Sequence, residues 1–184
     1  MKQMLAYTHT AIALHWLVAL LVFVTFPVGA IMSDMALSPD KLRMLSYHKW
    51  LGVTVFLLLV VRLVWRVAHK PAPLDSAMPQ WQKTAATGVH VLLYVLLFAI
   101  PLSGWLMSSA KGFQTVYLGV LPLPDLLDKD KVLGDALSAL HKVLNITMLM
   151  LVVAHVAAAL KHQIVDRDGT LARMLPFLNR RESK

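Results

Sequence analysis

Five histidines lie within or at the edges of long apolar segments, and they are the residues of this chain with the clearest potential for chemistry. The five positions are His15, His48, His90, His141 and His155. Ionisable side chains are rare inside apolar segments of membrane-spanning length and are functional candidates by default. Because a neutral imidazole nitrogen is a common ligand for transition metals, the set predicts a metal or metalloporphyrin site.

His141 and His155 belong to one apolar segment and are fourteen residues apart. In an α-helix, fourteen steps fall about 40° short of four full turns, so both rings are expected on the same face. The rise along the helix separates them by roughly 21 Å, which places one ring near each edge of an apolar slab. The spacing therefore predicts two sites at two depths instead of one cluster.

The composition indicates that lipid surrounds the elements that carry these histidines. The chain has 184 residues, of which 58% are hydrophobic and only 15% are charged, an imbalance that ordinary soluble domains do not show. A hydrocarbon core is crossed by about 20 mostly apolar residues in a helix. Four segments meet this length, at residues 11–32, 47–67, 88–108 and 137–160. We expect one all-α transmembrane domain over residues 1–184, folded as a bundle of four membrane-spanning helices.

Basic residues between the segments predict the orientation, and the alternating helix directions predict which histidines meet. The N-terminus, the second connection and the C-terminal tail together carry eleven Lys and Arg, against seven in the first and third connections, which favours cytoplasmic termini. His15 and His155 are then expected near the cytoplasmic face, and His48 and His141 near the opposite face. Reversing the protein exchanges the names of the faces but keeps both pairs.

Two pairs of histidines at two depths suit two six-coordinate haems in the core of the bundle. Bis-His ligation keeps haem iron low-spin with little reorganisation, as electron transfer requires. Zinc or copper would require three or four ligands at one depth, and the spans offer no carboxylate or thiol. The absence of cysteine also excludes iron–sulfur clusters, thiolate ligation and covalent attachment of haem. The pattern favours two non-covalently bound haems and a role in electron transfer.

Short motifs around these histidines resemble the prokaryotic cytochrome b561 family over nearly the whole chain. The matching segments are His15-Trp16-Leu17, His48-Lys49-Trp50-Leu51-Gly52, the run from His90 through Tyr94 and Pro101 to Gly104, the His141/His155 pair, Ala159-Leu160-Lys161-His162, and Asp168-Gly169-Thr170-Leu171-Ala172-Arg173-Met174. The resemblance implies a di-haem, quinone-linked cytochrome of the bacterial inner membrane. It places the haem ligands at His15, His48, His141 and His155, in agreement with the depth pairing.

The resemblance also implies an activity and leaves others open. Stand-alone members resemble superoxide oxidase, in which superoxide reduces the periplasmic haem b and ubiquinone collects the electrons. The same alignment puts His162 where that enzyme has a quinone-contacting histidine; the alternative is a solvated histidine at the membrane interface. Longer relatives are membrane cytochrome subunits of hydrogenases and formate dehydrogenases, so an electron-conducting anchor subunit of a periplasmic dehydrogenase or hydrogenase is the first alternative. The second alternative is a non-redox transporter that uses histidines to carry protons.

The expected partners follow from this reading. They are membrane lipid, quinone, and either superoxide or a periplasmic redox protein. The basic residues flank apolar segments and are not accompanied by a nucleic-acid-binding motif, so no nucleic acid is expected. The sequence leaves the oligomeric state open, with a homodimer as one option.

Two lysines and three further residues each admit two interpretations. Lys49 and Lys142 directly follow the predicted outer ligands and are the candidate catalytic residues, because cations there could neutralise haem propionates and attract superoxide, an anion. The alternative is that their charged ends simply extend to water at the interface. His90 either lies beside the inner haem or quinone or packs through a hydrogen bond. Arg62 and Arg66 either pair with the inner propionates or are cytoplasmic flanks.

Overall fold

The computed structural model describes residues 7–70 and 78–181, and four long α-helices make up most of them. The helices are α1 (His9–Asp34), α2 (Pro39–Ala68), α3 (Gln80–Ala110) and α4 (Lys131–Lys161). In the bundle, α1 packs on α2, α2 on α3 and α3 on α4. All four helices are long and apolar enough to cross a membrane. The predicted all-α, four-span architecture is therefore confirmed, and the chain is a multi-pass membrane protein.

Apolar side chains cover the outside of the bundle. Side chains that are at least half exposed occur on every helix, for example Leu20, Val64, Val91 and Met150. Few apolar side chains are fully buried between the helices; they include Val18, Val55, Leu59, Leu96 and Met148. Because helices satisfy their own backbone hydrogen bonds, such outward apolar faces can contact lipid.

Three of the helices begin well before the apolar segments predicted. At the start of α2, the hydroxyl of Ser38 accepts a hydrogen bond from the backbone N–H of Lys41 at 3.2 Å. At the start of α4, the carboxylate of Asp130 accepts one from the backbone N–H of Leu133 at 3.0 Å. These are N-cap contacts, which form in polar first turns that hydropathy does not count. The predicted spans are therefore the lipid-facing parts of longer helices.

The connection between α3 and α4 contains a small β-hairpin, formed by β1 (Val116–Tyr117) and β2 (Leu121–Pro122). Leu118 and Gly119 at its tip both have positive φ, 52° and 75°, as tight hairpin turns require. The indole N–H of Trp50 on α2 donates to the Val116 carbonyl at 2.7 Å. The hairpin is thereby held over the first half of α2, and we call this end of the bundle the hairpin end.

The opposite end, which we call the tail end, is closed by the C-terminal segment. Beyond α4, residues His162–Asp166 form one turn of π-helix that ends at Arg167, whose φ is 50°. Two short 3₁₀ segments follow, Leu171–Arg173 and Pro176–Arg181. The indole N–H of Trp16 on α1 donates to the Met174 carbonyl at 3.0 Å, which ties the tail to the start of the bundle.

Candidate functional site

The bundle brings four of the histidines into two pairs, one at each end. At the hairpin end, the ring centroids of His48 on α2 and His141 on α4 are 6.3 Å apart, with the ring planes at 83°. At the tail end, the centroids of His15 on α1 and His155 on α4 are 6.4 Å apart, with the planes at 66°. These are the pairs that the depth argument predicted, and their role as ligands stays a prediction.

A hydrogen-bond chain orients the ring of His141. The hydroxyl of Ser103 on α3 lies 2.8 Å from the Ile100 carbonyl, to which it donates, and 2.9 Å from the Nδ1 of His141. A serine hydroxyl has one hydrogen, so its contact with His141 must be accepted from an Nδ1–H group. That tautomer leaves the Nε2 lone pair of His141 free to bind a metal, as second-shell partners of ligating histidines do.

Two glycines pack against the rings at the hairpin end. A Cβ atom at Gly29 on α1 would lie 2.8 Å from Cε1 of His48, and one at Gly104 on α3 would lie 3.1 Å from Cε1 of His141. Both positions therefore leave room for an imidazole where any side chain would press on it. The Nδ1 of His48 is buried near the Thr25 backbone, but no described acceptor meets hydrogen-bond geometry. The ring of His48 is therefore held mainly by packing contacts such as the one with Gly29.

The two candidate catalytic lysines differ in their surroundings. The ammonium group of Lys49 donates to the Phe113 carbonyl at 2.6 Å and, at the limit of hydrogen-bond length, to the Gln114 carbonyl at 3.4 Å. It therefore fastens α2 to the start of the hairpin connection. Lys142 is exposed, and within the described parts of the chain it makes no hydrogen bond or ion pair. Of the two, Lys142 is the one with a free charge.

The tail end contains a third histidine. The ring centroid of His90 on α3 lies 5.3 Å from that of His155, with the planes at 68°. The ring centroids of Trp16 and His15 are 5.2 Å apart, with the planes at 76°. His90 therefore contacts the predicted ligand His155 directly, which is compatible with both of its interpretations.

His162, the predicted quinone contact, starts the π-helical turn and is fixed by carboxylates. Its Nδ1 lies 2.6 Å from Asp168 and 3.1 Å from Asp166, and Asp166 also pairs with Lys161 at 2.6 Å. Partial burial alone would raise the pKa of Asp168, but hydrogen bonds from Thr170 and then from His162 outweigh it and hold this pKa below its usual value. The second ring nitrogen, Nε2, remains available to a ligand.

The sequence reasoning missed several of these contacts. Ser103 is a small polar residue in an apolar span, a signal that a membrane helix uses its hydroxyl locally, although its partner could not be inferred. Asp168 precedes Gly169-Thr170 in a turn pattern that follows directly on α4. Nothing in the sequence indicated that Gly29 faces His48, because the rotation of α1 about its axis depends on packing.

Comparisons with known proteins match the chain to a family of membrane cytochromes. The profile described as Prokaryotic cytochrome b561 matches residues 6–177 of the chain. Cytochrome b561 homolog 2 of Escherichia coli (strain K12) is 37% identical over 165 residues, which cover 89% of this chain and 87% of the relative. Cytochrome b561 homolog 1 of the same organism is 28% identical, covering 92% of this chain and 97% of the relative. The probable superoxide oxidase CybB of Yersinia pestis is also 28% identical, covering 92% and 96%.

Proposed function

Since this chain belongs to the prokaryotic cytochrome b561 family, we propose that it is a di-haem b-type cytochrome that passes single electrons between a donor at one membrane face and the quinone pool. Family membership implies b-type haem and electron transfer in a membrane. The number of haems, their ligands, the donor and the acceptor are the parts that we propose.

The spacing of the ring pairs is the observation that carries the proposal. Two imidazoles that bind one metal ion from opposite sides, each through a metal–nitrogen bond of about 2 Å, have ring centroids roughly 6 Å apart. The centroids are 6.4 Å apart in the His15/His155 pair and 6.3 Å apart in the His48/His141 pair. Each pair would therefore be able to hold one haem iron between its two rings, with one haem at each end of the bundle.

The chain keeps the space between the two ends apolar. Haem iron with two imidazole ligands accepts and releases one electron at a time with little reorganisation. On α2, Phe56 follows His48 by about two turns and packs on Phe98 of α3 with ring centroids 5.1 Å apart. This aromatic pair adds apolar surface between the two ends of the bundle, although Phe98 itself is about half exposed.

We propose superoxide and ubiquinone as donor and acceptor, with the hairpin end in the periplasm and both termini in the cytoplasm of a bacterial inner membrane. Two superoxide anions each lose one electron and leave as O₂, and ubiquinone takes up two electrons and two protons. The likeness to a protein named as a probable superoxide oxidase supports the donor. His162 supports the acceptor, because its Nε2 is free for a quinone carbonyl while Asp168 fixes its Nδ1.

Cations at the hairpin end serve the same reaction in this proposal. Lys142 attracts the anionic donor through its free charge, and such steering raises association rates most at low ionic strength. Lys49 contributes charge and also keeps the hairpin connection in place over His48. Both lysines are therefore proposed to act on the donor side of the reaction, Lys142 more directly.

The first experiment is a reduced-minus-oxidised spectrum with pyridine haemochrome quantification of the purified protein. We expect b-type bands and two haems per chain; a colourless protein would contradict the proposal and favour the proton-transporter alternative. Purification in mild detergent tests the anchor-subunit alternative. A stoichiometric partner that carries iron–sulfur clusters or c-type haem would support that alternative against superoxide as the donor.

Stopped-flow reduction by superoxide then tests the donor. We expect fast reduction of the hairpin-end haem and a slower rate in Lys142→Gln, with the difference shrinking as salt is added. Lys83→Gln, the same charge change at the opposite end, is the matched control. If superoxide did not reduce the haem of the wild-type protein, superoxide would not be the donor. If Lys142→Gln and wild type were reduced at equal rates at low salt, Lys142 would not attract the donor.

A further inference from the structure

Arg62 and Arg66 lie one turn apart at the tail end of α2 and share one aromatic partner, Tyr94 on α3. Their guanidinium carbons are 5.7 and 5.6 Å from the Tyr94 ring centroid, within the range of cation–π contacts. The Nε of Arg62 also donates to the Tyr94 hydroxyl at 2.9 Å. These contacts fix the plane of the Arg62 guanidinium and leave its terminal nitrogens for another partner.

That partner is missing from the described part of the chain. The Nη1 of Arg62 is buried without a hydrogen bond. Guanidinium cannot relieve this by losing a proton, because it stays charged in proteins. In the tail segment, the carboxylate of Asp166 pairs with Lys161 and that of Asp168 with His162. Two like charges one turn apart also repel each other, so an anionic acceptor from outside the described residues would stabilise the arrangement.

A small cavity opens beside the two arginines. Its volume is about 30 Å³, and its walls include Trp65, His69 and Met174 in addition to Arg62, Arg66 and Tyr94. A space of this size holds one or two waters, or the oxygen atoms of one acidic group. The wall residues carry no carboxylate, so the cavity combines positive charge with aromatic surface.

We propose that Arg62, Arg66 and Tyr94 form a receptor for one oxyanion group, a carboxylate or a phosphate, of a ligand bound at the tail end. The planar fork of arginine is suited to two oxygens of such a group. Two ligands carry this chemistry. One is a propionate of the haem between His15 and His155, and the other is the phosphate of a lipid headgroup, which basic pockets between membrane helices bind.

The carboxylate source rests on the proposed haem, whereas the phosphate source is independent of it. Absence of b-type haem would therefore end the proposed function and leave the phosphate arm of this inference intact. Conversely, if the arginines proved not to bind an oxyanion, the protein would still show the spectrum of a b-type cytochrome. The two failures are distinguishable.

The test compares Arg62→Gln and Arg66→Gln with wild type in two measurements. Phospholipid phosphorus per protein is counted after detergent exchange, and the rate of haem release to a scavenging apoprotein is followed spectroscopically. Binding is expected to weaken about tenfold or more, because a charge-assisted hydrogen bond is lost. Loss of phospholipid with unchanged haem release identifies phosphate as the occupant. Faster release of one haem with unchanged phospholipid identifies the carboxylate.

Two further variants make the test independent of folding defects. Tyr94→Phe keeps the ring and removes the hydroxyl that orients Arg62, so it should produce a smaller effect of the same kind. Arg43→Gln neutralises an exposed arginine, paired with Asp40 at 4.0 Å, and serves as the control with the same charge change. If Arg62→Gln does not keep the helical circular dichroism of wild type, Arg66→Gln and Tyr94→Phe decide. Folded variants that retain phospholipid and haem as Arg43→Gln does would overturn the receptor.

Discussion

The two ends of the bundle hold similar pairs of imidazole rings by different means. At the hairpin end, Gly29 and Gly104 pack against the rings of His48 and His141, and Ser103 fixes one tautomer. At the tail end, no such glycine contact or hydroxyl bond to a paired ring occurs among the described residues. Instead, a third histidine, His90, contacts the ring of His155, and two arginines lie against Tyr94 at the same end.

The difference indicates that close packing and one hydrogen bond position the rings at the hairpin end, whereas charged and ionisable side chains predominate at the tail end. A ring held by close glycine contacts and a fixed tautomer presents one nitrogen in one direction, which suits a permanent ligand. A tail end rich in cations and ionisable groups suits anionic ligands and proton exchange, as the reduction of a quinone requires.

Substitution of one histidine should remove one haem and spare the other. His141→Ala should abolish the hairpin-end haem, and His155→Ala the tail-end haem, because each pair is proposed to hold one haem iron. Haem per protein, measured by pyridine haemochrome, is expected to fall by about half in each. His9→Ala, at an exposed histidine, is the control. Equal loss of both haems from either substitution would contradict two separate haem sites at the two ends of the bundle.

Alanine at the glycines should expose the steric character of the hairpin end. In Gly29→Ala, the new Cβ at 2.8 Å from Cε1 of His48 forces a shift, and overpacking of this kind costs about 1–3 kcal/mol. Gly104→Ala, at 3.1 Å from His141, should cost less. Thermal unfolding and the spectrum of the hairpin-end haem are the measurements.

Gly88 on α3, toward the tail end, provides the matched control. A Cβ there meets nothing within 4 Å, so Gly88→Ala should stabilise the helix by about 0.5–1 kcal/mol. If Gly29→Ala proved as stable as Gly88→Ala, with an unchanged haem spectrum, the close contact with His48 would not be what holds that ring.

Removal of the Ser103 hydroxyl should affect the hairpin end alone. Ser103→Ala leaves the Nδ1–H of His141 without its acceptor, at a cost of about 1 kcal/mol. The imidazole then becomes a weaker donor to iron, so the midpoint potential of the hairpin-end haem should rise while that of the tail-end haem stays constant. Redox titration with EPR measures both. Ser103→Thr, which keeps the hydroxyl, should restore the wild-type potential; an equal shift of both haems would argue for a general structural effect.

The sequence alone predicted the membrane helices and the histidine pairs because both depend on regular geometry. Apolar length defines a span, and fourteen residues of unbroken helix place His141 and His155 on one face at two levels. Alternating helix direction then brings His15 and His48 to those levels. None of these steps requires knowledge of how the helices pack.

The contacts that distinguish the two ends could not be predicted in this way. The approach of Gly29 to His48 depends on the rotation of α1 against α2 to within an ångström. The hairpin depends on two consecutive positive-φ residues, of which only Gly119 is a signal in the sequence. The bond from Ser103 to His141 joins residues 38 apart in sequence, and apolar patterning carries no information about such a pair.

The smallest effect should come from Asp168, which tests whether charge holds the tail end. Hydrogen bonds keep the pKa of Asp168 below its usual value, so its contribution to stability is full above the unfolded-state pKa, near 4, and is lost as the pH falls through the lowered folded-state pKa. Asp168→Asn should therefore lower the unfolding temperature at neutral pH, by an amount equivalent to about 1 kcal/mol or less. The difference from wild type should vanish in acid. Asp128→Asn, in the exposed α3–α4 connection, is the control, and a difference that stayed constant from neutral pH into acid would assign Asp168 a structural role that does not depend on its charge.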